Sequence, residues 1–181
     1  MRLFKINEIT YGWFEAELGK CNIEVSDYLG YDMPCKLLVK LINIIQMKSK
    51  EEVVYLMNEP GAELLKISGN DTEIIFELLD IDKHSDDLKY DADEREELVN
   101  CTKCLGSYSE SFASVVDNFV SEFALYENGN GRKMYETHWG IFPQKEFDEL
   151  KSIAFSINSK QEKKNKLFCT TFLKKNSLWH K

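Results

Sequence analysis

The chain has 181 residues, of which 43% are apolar, 12% aromatic and 30% charged, with a net charge of −8. That is the balance of a folded globular protein and excludes a wholly disordered chain; the length suits one domain. No apolar run approaches the ~20 residues of a spanning helix, since Leu37 to Met47 is interrupted by Lys40, Asn43 and Gln46.

The first residues contain no apolar stretch leading to a small-residue cleavage site, which predicts a cytoplasmic protein. Five cysteines, Cys21, Cys35, Cys101, Cys104 and Cys169, fit reduced thiols. The charge is uneven. Residues 1–80 carry 8 basic and 14 acidic side chains, residues 81–130 carry 4 and 12, and residues 131–181 carry 11 and 5. An acidic body disfavours nucleic acid as a partner and favours a basic one through electrostatic steering. Solubility alone explains the same charge.

Leu3 to Ile9 and Tyr11 to Leu18 have strand-like content. Gly19-Lys20 turns the chain into Cys21 to Val25, where Ile23 and Val25 alternate with Asn22 and Glu24. Pro34 suits a first helical turn, and Leu37, Leu38, Leu41, Ile44 and Ile45 make one apolar stripe. The spacing predicts a helix from about Met33 to Met47.

Glu52 to Met57, Ala62 to Ser68 and Thr72 to Leu79 read as three strands. Asn58-Glu59-Pro60-Gly61 and Gly69-Asn70-Asp71 supply the turns of an antiparallel meander. Asp80 to Glu97 holds nine acids and three bases and reads as an exposed acidic linker, over 81–97, entering a helix near Asp93. Phe112, Val115, Val116, Phe119, Val120 and Phe123 form a second helical stripe. Glu127 to Gly131 reads as a loop. Pro143 opens a last helix with Phe147, Leu150, Ile153 and Ala154 inward. Ser159 to Lys166 reads as a polar connector and Leu167 to Leu173 as a final edge strand, within a basic C-terminal segment, 158–181. The whole, 1–181, is predicted to be a single α+β domain with helices packed on an antiparallel sheet.

Cys101-Thr-Lys-Cys104 is a candidate metal or redox pair. A structural zinc site takes four ligands, commonly from two such pairs, and no second pair exists. A redox thiolate needs a helix N-terminus or cation, whereas Glu96 and Glu97 precede this pair. Three residues apart on a helix, the two thiols would share a buried face. Asp80, Asp82, Asp86 and Asp91 invite a calcium-loop reading, but Ser85 replaces the loop glycine and Asp91 the bidentate glutamate. Glu127-Asn-Gly-Asn-Gly-Arg132 lacks a phosphate-loop fingerprint. His84, His138 and His180 sit in no nucleophile–base motif. Lys160, Lys163, Lys164, Lys166, Lys174 and Lys175 with Phe168, Phe172 and Trp179 could touch nucleic acid, but folding back on the acidic body accounts for them equally.

Gly12-Trp13-Phe14-Glu15, Ser26-Asp27-Tyr28-Leu29, the helix that follows, and Asn58-Glu59-Pro60-Gly61-Ala62-Glu63 resemble small bacterial immunity proteins of contact-dependent and polymorphic toxin systems. The resemblance covers about residues 11–80. It implies a non-catalytic cytoplasmic protein that binds and neutralises a cognate, basic toxin domain, with no cofactor, no nucleic acid and no membrane. Partner contacts are predicted at Asp80, Asp82, Asp86, Asp87, Asp91 and Asp93. The alternatives are a small enzyme or ligand-binding domain without a recognisable motif, and a metal- or redox-responsive protein using Cys101 and Cys104.

Overall fold

The computed structural model describes residues 3–27, 30–58, 61–70, 72–82 and 93–159. Their fold is α+β, with the strands divided between two antiparallel sheets. Strands β1 (Phe4–Thr10), β2 (Trp13–Leu18) and β3 (Cys21–Ser26) form the first, in that order. Both hairpins have two-residue turns. Tyr11 (φ 47°) and Gly12 (φ 80°) close β1 to β2, and Gly19 (φ 62°) leads β2 into β3; paired positive φ values match the twist of the strands they join. A side chain at Gly19 would start 2.2 Å from the Tyr108 ring. Glycine therefore serves both backbone and packing there.

Asp32 accepts the Cys35 N–H to cap helix α1 (Met33–Ile45). Leu37, Leu38, Leu41 and Ile44 of its apolar stripe are buried as the spacing predicts, and Ile45 is half-buried. Strands β4 (Glu51–Met57), β5 (Ala62–Gly69), β6 (Glu73–Ile81) and β7 (Cys101–Ser111) make the second sheet, again in sequence order. Asn70 accepts from the Thr72 and Glu73 N–H groups to shape the β5–β6 turn. A short 3-10 helix (Glu94–Asn100) precedes β7.

Ser111 caps helix α2 (Phe112–Phe123), and a 3-10 turn continues to Tyr126. Helix α3 (Gly129–His138) and helix α4, over 144–159, follow. Phe119 stacks between Phe4 (4.5 Å) and Phe76 (6.1 Å), so one ring joins α2 to both sheets. Along the free side of β1, Asn118 accepts the Phe4 N–H (2.6 Å) and donates to its carbonyl (3.0 Å), and Glu122 accepts the Ile6 N–H (3.1 Å). Two α2 side chains four apart thus do the work of a neighbouring strand.

Three expectations are corrected. Cys101 to Ser111 is a strand, not a helix: β6 offers it a ladder, and its sequence has no helical apolar stripe to bury. The glycine-rich stretch after Glu127 is not all loop, because α3 begins at Gly129. Gly131 lies where a Cβ would be 1.9 Å from the Leu125 carbonyl oxygen, so glycine lets α3 fold back on the preceding turn. The acidic stretch is not exposed throughout, since Glu94 and Glu97 are buried. The expected connector (apart from Ser159, in α4) and the strand at 167–173 lie outside the described residues.

Candidate partner-binding surface

The end of the second sheet gathers the first of the predicted carboxylates. Asp80, near the end of β6, lies directly across from Glu63 on β5 and from Lys103 on β7. Opposed like charges on one sheet face repel. The Glu63 carboxyl is accordingly raised from its ordinary value, by burial first and then by Asp80. Asp82 follows β6 and is exposed. Asp93 caps the short helix through the Arg95 N–H and is chelated by the Arg95 guanidinium (Nε at 2.9 Å from both oxygens), which lowers its carboxyl to about 2. Its charge is therefore already paired with that of Arg95 before any partner arrives. Asp86, Asp87 and Asp91 lie outside the described residues.

The short helix is anchored by chemistry that the acidic composition did not announce. Lys40 on α1 donates to Glu94 (2.9 Å) and lies 3.3 Å from Glu52 on β4. Tyr31 donates to the other Glu94 oxygen (3.2 Å) and accepts the Tyr55 N–H (3.1 Å), while Asn43 donates to Glu52 (3.0 Å). Burial pulls the Lys40 ammonium down, but the Glu94 hydrogen bond and the charges of Glu94 and Glu52 outweigh it and raise it overall. Burial, then Glu94, pushes the Tyr31 phenol up. A half-buried lysine shared by two buried carboxylates is a clamp: its loss would strand charge in the interior.

Among the described residues β7 is an edge strand of eleven residues, most of them exposed. Two register shifts interrupt it, leaving Thr102 and Leu105 as extra residues opposite β6. From Gly106 to Ser111 the register is regular, and among the described residues no strand pairs with the outer edge. Such an edge is a template for another chain. Tyr108 anchors the strand to the first sheet, its hydroxyl 3.1 Å from the Cys21 sulfur.

The bulge at Thr102 also decides the cysteine pair. Cys101 faces Ile81 and Cys104 faces Leu79, so the two thiols share a side of the strand despite their odd spacing. Cys104 is exposed and Cys101 half-buried. Burial raises the Cys101 thiol, the opposite of an activated thiolate. Among the described residues no three His, Cys, Asp or Glu side chains converge as a metal site.

Two adjoining clefts have largely apolar linings. A groove of about 470 Å³ runs between Ile45, Met47, Phe112, Ile153 and Ile157, and one of about 380 Å³ adjoins it at Met47 and Phe112. Neither is lined by a carboxylate, histidine or cysteine that could act on a substrate. No helix among the described residues is long and apolar enough to cross a membrane.

No family model matches the chain, and no curated protein matches it. Among solved structures it is similar to a chain titled "CdiA-CT/CdiI toxin and immunity complex from Enterobacter cloacae". The match has a TM-score of 0.41 and 9% identity and covers 67% of this chain and 97% of that one. A likeness at this level transfers no residue and no activity.

Proposed function

We propose that the protein is a non-catalytic immunity-type inhibitor that binds a basic toxin domain through the acidic end of the second sheet and the open edge of β7. The observation that carries this reading is the Glu63–Asp80 pair: two carboxylates held face to face at a sheet end, with Asp82 beyond them. Within the fold that arrangement is a cost. A lysine or arginine of a partner relieves it, and a partner strand along β7 supplies main-chain hydrogen bonds. Sequence alone extends the acidic contact to Asp86, Asp87 and Asp91, with Asp93 the least available because Arg95 holds it. The resemblance of residues 11–80 to immunity proteins points the same way.

The test is co-purification with the products of adjacent reading frames at about 50 and about 300 mM salt, followed by an activity assay of whatever is captured. A single basic toxin domain, held stoichiometrically, weakened by salt and silenced by the protein, is the expected result. The Asp80→Lys/Asp82→Lys variant should slow association by about tenfold. A captured domain whose activity is unchanged by saturating protein overturns the reading.

A further inference from the structure

The tip of the β1–β2 hairpin, the start of α1 and the end of α3 meet at a second candidate site. The Gly12 N–H donates to the His138 carbonyl (2.6 Å) and the Tyr11 N–H to His138 Nδ1 (3.3 Å), with the Tyr11 ring edge-on to the imidazole at 5.1 Å. The Asp27 N–H donates to the Gly12 carbonyl (2.8 Å), and the Asp27 carboxylate occupies space that a side chain at position 12 would need: a Cβ there would lie 2.6 Å from Oδ1. Asp32 accepts from the Cys35 N–H and the Trp139 indole N–H, both at 3.3 Å and both on Oδ1. Asp27, Tyr31, Asp32 and Trp139, with two glycines, line a cavity of about 140 Å³. Tyr11 and Ile141, from the segments that form the site, are 87% and 83% exposed.

Size and chemistry narrow the occupant. Cofactor and substrate pockets run to roughly 300–1,000 Å³, and a single water needs only about 10–15 Å³. The cavity suits the end of one side chain. Among the described residues its walls offer two carboxylates and two aromatic side chains and no cation. The Lys36 ammonium lies 5.7 Å from the Tyr31 ring centre. The positive end of α1 opposes a cation, but Asp32 already sits on it and Asp27 adds a second negative charge. Near Asp32, the fully buried Tyr135 phenol has no hydrogen-bond partner among the described residues. A planar guanidinium satisfies carboxylates through paired N–H donors and stacks on an indole, which an ammonium does less well.

We infer that this cavity takes one arginine side chain of a basic protein partner, with Tyr11 and Ile141 as apolar contacts beside it. The inference rests on the protein-binding reading above and names an anchor for it. Tyr31 joins the two regions, since its ring lines the cavity and its hydroxyl bonds Glu94, next to Asp93. Aromatic residues and arginine are the types that dominate interface energies.

The probe is N-acetyl-arginine amide, with the citrulline analogue as its uncharged isostere, added to the full chain up to about 20 mM while the Trp139 indole N–H resonance is followed by NMR. The arginine compound should shift that resonance saturably and citrulline should not, and Asp27→Asn should weaken the response at least about tenfold. Asparagine keeps the size of the aspartate side chain, so the melting temperature of the variant serves as the control for its fold. Trp139→Phe assigns the signal. No saturable shift, equal shifts from both compounds, or indifference to Asp27→Asn overturns the inference. If a captured toxin domain binds Asp27→Asn unchanged, the cavity reading fails and the inhibitor reading stands. If the arginine probe binds as expected and no captured protein is inhibited, the reverse holds.

Discussion

Replacing Lys40 by methionine keeps the length of the side chain and removes the charge on which Glu94 and Glu52 depend. Both carboxylates are buried, so the variant should lose about 3 kcal/mol, about 6–12 °C in melting temperature for a chain of this size. Adding Glu94→Leu should return part of the loss. The pH sign follows from the direction of the shift. A lysine raised in the folded state contributes fully below the ordinary value of 10.5, and that contribution disappears as pH rises through the folded value. Above pH 10.5 the difference between wild type and Lys40→Met should therefore shrink in denaturant titrations. Glu63 works in the opposite sense. Its raised carboxyl makes the ionised form a penalty at neutral pH, relieved as pH falls through the folded value toward the ordinary 4.5. Glu63→Gln should stabilise the protein by about 0.5 kcal/mol at pH 7 and lose that advantage below pH 4. The same variant should bind the proposed toxin partner less well if the acidic sheet end is the interface. A stability gain with unchanged binding would move the interface elsewhere.

At the scale of elements, the contact between α2 and the edge of β1 is the one to break. Asn118 completes two main-chain hydrogen bonds of Phe4, and both Phe4 groups are left with little water to turn to because Phe4 is buried. Asn118→Ala should cost about 2 kcal/mol, and hydrogen exchange at the Phe4 amide should accelerate far more than exchange in β5. Equal acceleration in both strands would mean that α2 and the two sheets open only together. The β7 edge was harder to foresee. Ser, Thr, Tyr and Gly between 101 and 111 fit an edge strand once β6 is beside them, yet without that neighbour nothing in the segment distinguishes it from an irregular run between two helices. By contrast, α1 and the α2 stripe were legible because their apolar residues recur at helical spacing, and the β1–β2–β3 and β4–β5–β6 meanders because glycine and asparagine mark their turns.

Across the whole molecule the charge is separated: residues 160–181 hold seven of the 23 basic side chains and one of the 31 acidic ones, which leaves residues 1–159 at −14. Self-repulsion in so acidic a body is a destabilising term that salt screens. The melting temperature should rise by a few degrees between about 10 and about 200 mM salt, a range over which the screening length falls from about 30 Å to under 10 Å. A fall would mean that attractive pairs such as Lys66–Glu77 and Lys151–Glu127 outweigh the net field.

Fold class, the two amphipathic helices, the tight turns and the acidic balance follow from local pattern and composition, because the periodicity of burial and the backbone freedom of glycine act over a few neighbouring residues. The candidate sites do not. Asp80 was visible as an acid, but that it stands opposite Glu63 depends on strand register. Glu94 and Glu97 read as solvent charges until α1 brings Lys40 to Glu94. The cavity is built from Asp27, Asp32 and Trp139, with Tyr11 held to His138 across 127 positions of chain. Such convergence is set by how the sheets and helices of the described residues share one core, a long-range packing outcome that no short window of the sequence contains.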